Sequence, residues 1–339
     1  MEPQQLSERL AEFLQRSHDA GSVRIDHLRL LTGGASRQTW SFDAAITDKN
    51  GRTQTASLVL RSNPRRGAAT MAGDVEYRLL KAAGDEGVPV PSVYLPGDGS
   101  LDDPFFLMER VDGETIPRRL LRDEVYAEAR TSMARQLGTI LAKIHRTPIE
   151  KHGLDVLPAP APDVSPAEHE VRRYEQIYRA ITPEPHPAFE LGFRWLRERL
   201  PAATEHALVH GDYRIGNIIF GPEGVRAVLD WELAHIGDPM EDLGWICVRS
   251  WRFGNDEQPV GGIGSREEFF SAYEAAGGSP VDTKRVLFWE AFGNLRWGIS
   301  CIFQAKTYLD GLSSSVELAS IGRRIAETEW ELLNLMEER

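Results

Sequence analysis

Cysteine is scarce in this chain. Cys247 and Cys301 are the two among 339 residues, far apart and outside any CxxC or metal-ligand spacing. That scarcity excludes a disulfide framework, and both side chains are expected to be buried apolar groups in a reducing compartment. Long apolar runs are missing too: none approaches the roughly 18 residues that a membrane span requires. The opening residues MEPQQLSERLAEFLQR carry acidic groups and lack the apolar core of a signal peptide, so a cytoplasmic protein with no membrane partner is expected. Positive charge is outnumbered, with 39 Lys and Arg against 51 Asp and Glu and a formal net charge of −12. Such a balance argues against broad electrostatic binding to nucleic acid, while leaving room for a local basic pocket.

Apolar residues make up 41% of the chain, enough for a sizeable core. Their periodicity changes along the sequence. LSERLAEFLQRS places Leu6, Leu10, Phe13 and Leu14 at helical spacing. Strand-like runs follow in RIDHLRLL, TWSFDAAI and TASLVLR, with DKNG as a hairpin-type turn. DVEYRLLKAAG reads as a helix, and VPVPSVYLP and PFFLMERV as two further strands. Beyond Gly113 the texture is helical: SMARQLGTILAKIHR, VRRYEQIYRAI, FELGFRWLRERL and most of the last 70 residues. LPAPAPDVSPAEHE between them reads as a surface loop. Segregated strands and helices predict an α+β chain with a small sheet lobe followed by a large helical lobe. Oligomeric state is not legible.

Two segments carry chemistry. In LVHGDYRIGNIIFG (208–221), Asn217 follows Asp212 by five positions, on a loop anchored by apolar residues on both sides. A carboxylate and a carboxamide so held suit phosphoryl transfer: the first can accept a proton from an attacking hydroxyl, the second can offer oxygen to a hard cation. In VRAVLDWELAHIGDPMEDLGW (225–245), Asp230 ends a strand-like run 13 positions after Asn217, where its carboxylate would complete a magnesium site on nucleotide phosphates.

The pair HGD-x4-N and LDWE closely resembles the aminoglycoside phosphotransferase-like family, relatives of protein kinases. DWE followed by GDP and DL further resembles the kinase-like domains fused to acyl-CoA dehydrogenases and their free-standing bacterial relatives, over about residues 25 to 310. The resemblance implies a two-lobe protein-kinase-like fold that binds ATP and Mg2+, with a small antiparallel-sheet nucleotide-binding lobe over residues 1–108, a hinge at 109–113 and a large helical catalytic lobe over 114–339. It implies that Asp212 is the catalytic base, that Asn217 and Asp230 hold the metal, and that His210 and Asp242 support the loop. LTGGASRQTW is similar to the phosphate-covering loop, which assigns Gly33, Gly34 and Ser36 to the phosphates. Arg61 stands where protein kinases carry a lysine and is paired with Glu76, with Asp74 as rival. The backbone of Glu109 and Val111 would meet the adenine. Asp238 and Pro239 shape the turn before Asp242, while Glu232 joins the metal shell or orders its own turn.

His145, closing an apolar helix, reads as a satisfied interface histidine, and His235 lies near the site. Arg296 and Gln304, eight positions apart on a helix with Trp289, Phe292, Trp297 and Phe303, either line a substrate pocket or belong to an ordinary amphipathic helix. The segment Trp251–Arg252–Phe253 is a similar candidate. The short interval from Asp230 to Asp242 leaves no room for an activation loop of protein-kinase length, so a small-molecule hydroxyl is the expected acceptor. Three functions remain in view: a hydroxyacyl-CoA kinase, which Arg37, Arg65 and Arg66 would favour by adding positive charge; an aminoglycoside or macrolide kinase; and a non-catalytic nucleotide-binding module.

Overall fold

The computed structural model describes residues 2–31, 38–62, 71–101, 103–182, 184–202 and 206–337. The phosphate-loop candidates Gly33, Gly34 and Ser36, together with Arg37, Arg65 and Arg66, lie outside them. By contacts the chain forms two compact units. The first comprises residues up to Gly113 with Pro148–Val156 and Arg226–Leu233, and the second comprises Glu114–Thr147, Leu157–Val225 and the chain from Ala234 onward. The segment that bears Asp230 therefore packs with the first unit, although it lies more than a hundred residues beyond Gly113.

In the first unit, helix α1 (Pro3–Ser17) precedes strands β1 (Ser22–Leu31), β2 (Gln38–Thr47) and β3 (Thr53–Ser62). Helix α2 (Gly73–Asp85) and strands β4 (Val93–Pro96) and β5 (Phe105–Glu109) follow. The strands form one antiparallel sheet in the order β1-β2-β3-β5-β4. Between β2 and β3 the Asp48 carboxylate accepts from the Asn50 and Arg52 amides at 2.8 and 2.9 Å, and Gly51 takes φ +81°, a conformation glycine adopts without steric cost. Side chains alternate along each strand. Phe42, Ala44, Leu58, Leu60, Phe105 and Leu107 face Leu6, Leu10, Phe13 and Leu14 of α1 in one core. Burial of each of the large side chains contributes about 1.5–3 kcal/mol. The alternation leaves Ser41, Asp43, Ser57, Val59 and Arg61 on the opposite face, in register as Ser41 with Val59 and Asp43 with Ser57.

The second unit holds helices α3 (Pro117–Arg122), α4 (Ala127–His145), α5 (Pro166–Ile181) and α6 (Pro187–Arg197), then strands β6 (Ala207–Val209) and β7 (Ile218–Gly221). Strand β8 (Gly224–Val228) runs on into the segment that joins the first unit, and β9 (His235–Gly237) pairs antiparallel with β6. Helices α7 (Met240–Cys247), α8 (Arg266–Ala275), α9 (Thr283–Leu309), α10 (Val316–Ile321) and α11 (Ile325–Glu337) complete it. The proline-rich stretch is shorter than expected. Ser165 accepts from the Glu168 amide at 3.2 Å with Pro166 in the first turn, so the residues read as a loop up to Glu170 are helical from Pro166. No helix among the described residues is long and apolar enough to cross a membrane.

Helix α7 lies directly against the backbone of α9. A Cβ at Gly244 would sit 2.7 Å from both the Glu290 amide nitrogen and the Trp289 carbonyl carbon. These atoms cannot move aside as a side-chain tip could, so Gly244→Ala is expected to destabilise the protein by about 1–3 kcal/mol. Urea denaturation of the variant checks this; an unchanged midpoint would refute the close approach.

Candidate active site

In the first unit, Arg61 near the end of β3 projects from the sheet face opposite α1. Its Nε donates to Glu76 Oε1 at 2.7 Å, and the Glu76 side chain is only 3% exposed. Asp74, the rival partner, is turned to solvent and paired with Arg78 one helical turn on. Arg61 Nη2 also lies 3.9 Å from Asp230 Oδ1. Burial pushes the guanidinium below its ordinary pKa, and the charges of Asp230 and Glu232 oppose that shift. The group stays cationic, because an arginine starts so far above neutrality. Asp230 itself has φ +66°. This left-handed backbone costs a residue with a Cβ roughly 1 kcal/mol or more. The turn is held by buried Trp231, whose Nε1 donates to the Val228 carbonyl at 3.2 Å. At the end of β5, the Glu109 amide donates to the Ser92 carbonyl at 2.8 Å and the Glu109 carboxylate accepts from the Ser92 amide. Val111 is partly buried two residues on.

In the second unit the loop after β6 is fixed from below by one carboxylate. Asp242, fully buried on α7, accepts from the amides of His210 at 2.7 Å and Gly211 at 2.9 Å. It also meets His145 Nε2 at 3.1 Å, while His145 Nδ1 bonds the Tyr273 hydroxyl at 2.8 Å. His145 is thus a satisfied structural histidine. Burial pushes the Asp242 carboxyl up, but the His145 hydrogen bond, the charges of His145 and His210 and the backbone donor at His210 outweigh it, so its pKa lies below the usual carboxylate value. His210 Nδ1 accepts from the Asp212 amide at 3.1 Å, so this histidine shapes the turn by hydrogen bonding.

Asp212, 9% exposed, is oriented by three donors. Asn217 Nδ2 reaches its Oδ2 at 2.6 Å, while Trp245 Nε1 and Arg214 Nε reach its Oδ1 at 2.8 and 3.0 Å. Asn217 Nδ2 also holds the Asp212 carbonyl at 2.9 Å. With its nitrogen so engaged, Asn217 keeps Oδ1 as an oxygen of the kind a hard cation such as magnesium takes.

Arg296 departs from its expected place. It is 3% exposed, with Nη1 on Glu241 Oε1 at 3.1 Å and Nη2 on the Gly211 carbonyl at 2.6 Å. Its charge is used beneath the loop and does not line a pocket with Gln304, which is half-buried two turns on. His235 is likewise turned inward, onto Glu241 Oε2 at 3.1 Å. Asp238 caps α7 through the Met240 amide and is gripped by Arg285 and the Trp289 indole. Sequence reasoning missed Arg214, Trp245 and Glu241. Arg214 could have been found from its place two residues after Asp212; the other two are disclosed only by packing.

Comparison with known proteins identifies the family and the fold. A family model described as "Phosphotransferase enzyme family" matches residues 27–281. The chain belongs to this family. The phosphotransferase is 30% identical to acyl-CoA dehydrogenase family member 10 of Mus musculus over 97% of its own length. That alignment spans 31% of the mouse protein, so the chain covers about a third of this relative. Among solved structures, a Ralstonia eutropha JMP134 protein provisionally assigned as an aminoglycoside phosphotransferase shares 26% identity with a TM-score of 0.77, covering 98% of each chain. Spectinomycin phosphotransferase, solved with ADP and spectinomycin, shares 14% identity with a TM-score of 0.66 over 98% of each chain. The fold is the protein-kinase-like fold of these phosphotransferases.

The depressed pKa of Asp242 fixes the sign of a pH effect. Its stabilisation is complete above the unfolded-state value of 3.8 and is lost as pH falls through the lower native value. Asp242→Asn is expected to cost about 3–5 kcal/mol at neutral pH and to flatten the acid limb of the stability curve. Chemical denaturation between pH 3 and 7 measures both effects, and a variant as stable as the parent at pH 7 would overturn the assignment.

Proposed function

We propose that this phosphotransferase is a magnesium-dependent ATP kinase acting on a hydroxyl of a small molecule, with a hydroxyacyl-CoA as its acceptor. One observation carries the reading: the Asp212 carboxylate is held by Asn217, Trp245 and Arg214 at 2.6 to 3.0 Å. Three donors fix its direction, two on Oδ1 and one on Oδ2, which leaves a lone pair on Oδ2 for a substrate proton. Asp212 accepts the hydroxyl proton as the new P–O bond forms, and orientation rather than strong basicity suits a transition state with little covalent demand on the protein. Asn217 and Asp230 would hold magnesium, which when bound neutralises charge on the phosphate oxygens. Arg61, steadied by Glu76, would add a fixed cation for the phosphates, Gly33, Gly34 and Ser36 would supply further donors to them, and the backbone of Glu109 and Val111 would receive the adenine. His210, Asp242 and Arg296 act as positioning residues beneath the loop, and Gln304 remains a candidate acceptor contact.

The acyl-CoA dehydrogenase relative supports the CoA acceptor, because the chain aligns along nearly its whole length with part of that protein. The provisional assignment of the Ralstonia protein favours a second acceptor class, aminoglycosides. ADP release from MgATP, followed across a panel of hydroxyacyl-CoAs and aminoglycosides, separates them. Turnover is expected on the CoA esters, falling by about 10²–10⁴-fold in Asp212→Ala with ATP binding retained. Undiminished turnover in Asp212→Ala would remove the base assignment. ATP binding without turnover on either class would point to a non-catalytic module.

A further inference from the structure

Trp251 is almost wholly buried, and its indole nitrogen meets no acceptor among the described residues. The nitrogen therefore does not account for its place, but the ring does. The Arg214 guanidinium lies 4.7 Å above the ring centroid, and the Trp245 ring lies 5.2 Å away between centroids. Those two residues are the donors on Asp212 Oδ1, Arg214 through Nε at 3.0 Å and Trp245 through Nε1 at 2.8 Å. One buried ring thus supports both hydrogen bonds on the same oxygen.

The support is itself fixed. Trp251 closes the short turn Arg249–Trp251 that follows α7. Arg252, next in the chain, donates to the Cys247 carbonyl from Nε at 3.2 Å and Nη2 at 2.8 Å, and its Nη2 also reaches Glu290 Oε1 on α9 at 3.0 Å. Trp297, likewise on α9, packs against Trp251 at 4.9 Å between centroids. A Cβ at Gly216 would stand 2.2 Å from Arg214 Nη1, so the glycine leaves the guanidinium room to lie over the ring. An aromatic face attracts a cation placed over it. With an aliphatic residue at 251 that attraction is gone, and Arg214 is free to turn to water.

We propose that Trp251 is a positioning residue for phosphoryl transfer: by holding Arg214 and Trp245 on Oδ1, it keeps Asp212 turned so that Oδ2 meets the acceptor hydroxyl. This rests on the reading of Asp212 as the base. Two donors fill the lone pairs of Oδ1, whereas Oδ2 carries the Asn217 amide at 2.6 Å and has room for one proton. In the transfer step the hydroxyl oxygen bonds to the γ-phosphorus, the bond from that phosphorus to ADP breaks, and the hydroxyl proton passes to Oδ2. Trp251 takes no part in these bonds and acts through its two neighbours.

Steady-state ADP release from MgATP by the full chain, with 4-hydroxybutanoyl-CoA, spectinomycin or water alone as acceptor, tests this role. Wild type is compared with Trp251→Leu, Trp251→Phe, Arg214→Met and Asp212→Ala. On the acceptor that wild type uses, Trp251→Leu is expected to lower kcat about tenfold while KM for MgATP stays within about twofold. Trp251→Phe keeps an aromatic face and loses no hydrogen bond, so kcat is expected within about threefold of wild type. Arg214→Met is expected to reproduce the loss, and combining it with Trp251→Leu to cost no more than the larger single loss, since both act on one oxygen. The role is overturned by a wild-type kcat in Trp251→Leu, by equal losses in Trp251→Leu and Trp251→Phe, or by losses that multiply in the double variant. The base reading fails separately, and the role with it, if Asp212→Ala keeps full turnover or if wild type releases no ADP with any of the three acceptors. Should Trp251→Leu fail to fold, Arg214→Met, at a partly exposed residue, decides: an unaltered kcat there overturns the role.

Discussion

The Asp242 carboxylate is the point on which the rest of the second unit's site depends. It ties three separately encoded pieces together: the short helix α7, the end of α4 through His145, and the His210–Gly211 backbone. With no solvent contact, the ion is affordable only because each of its oxygens is answered by donors. Everything that orients Asp212 is built outward from that fixed backbone. The loop's direction follows from two amides, Asp212 follows from the loop, and Asn217 and Trp245 each close on one oxygen of Asp212. A site assembled this way transmits small errors, because a shift of the lowest contact tilts every group above it.

A second layer of charge lies beside this anchor. Arg296 joins Glu241 to the Gly211 carbonyl, and His235 meets the other Glu241 oxygen. Glu170 and Arg173 continue the network. Buried ion pairs of this kind add little net stability compared with well-packed apolar residues, yet losing one partner is costly. Their use here is geometric. Arg296 offers donors at fixed angles, so it sets both the height of the loop and the lean of the Trp245 ring below its guanidinium.

Much of the candidate site's geometry was legible in the sequence because its residues are few in type and closely spaced. HGD-x4-N and LDW are local patterns, and the strand and helix periods around them place one on a loop and the other at a strand end. The Arg61–Glu76 pair was readable because helical spacing separates Glu76 from Asp74. Arg296 was harder. A polar residue amid aromatics looks the same along the chain whether the aromatics line a cavity or fill a core, and only the partner contributed by α7 distinguishes the two. Trp245 could not be assigned for the same reason, since its hydrogen bond joins residues 33 apart. The helix start at Pro166 was readable in principle from Ser165 and Glu168, but the prolines around it suggested a loop.

The membership of Arg226–Leu233 in the first unit has a consequence for biosynthesis. The unit that begins with α1 is complete only when a segment encoded some 110 residues after Gly113 has been made. At roughly 5–20 residues per second on the ribosome, the sheet and its helices wait seconds for Val228 to reach the Pro89 carbonyl and for Asp230 to come near Arg61. Until then Arg61 has its Glu76 partner within reach but lacks the second carboxylate. The unit's contacts are non-local by construction, which sets a slow step into folding however stable the finished protein is.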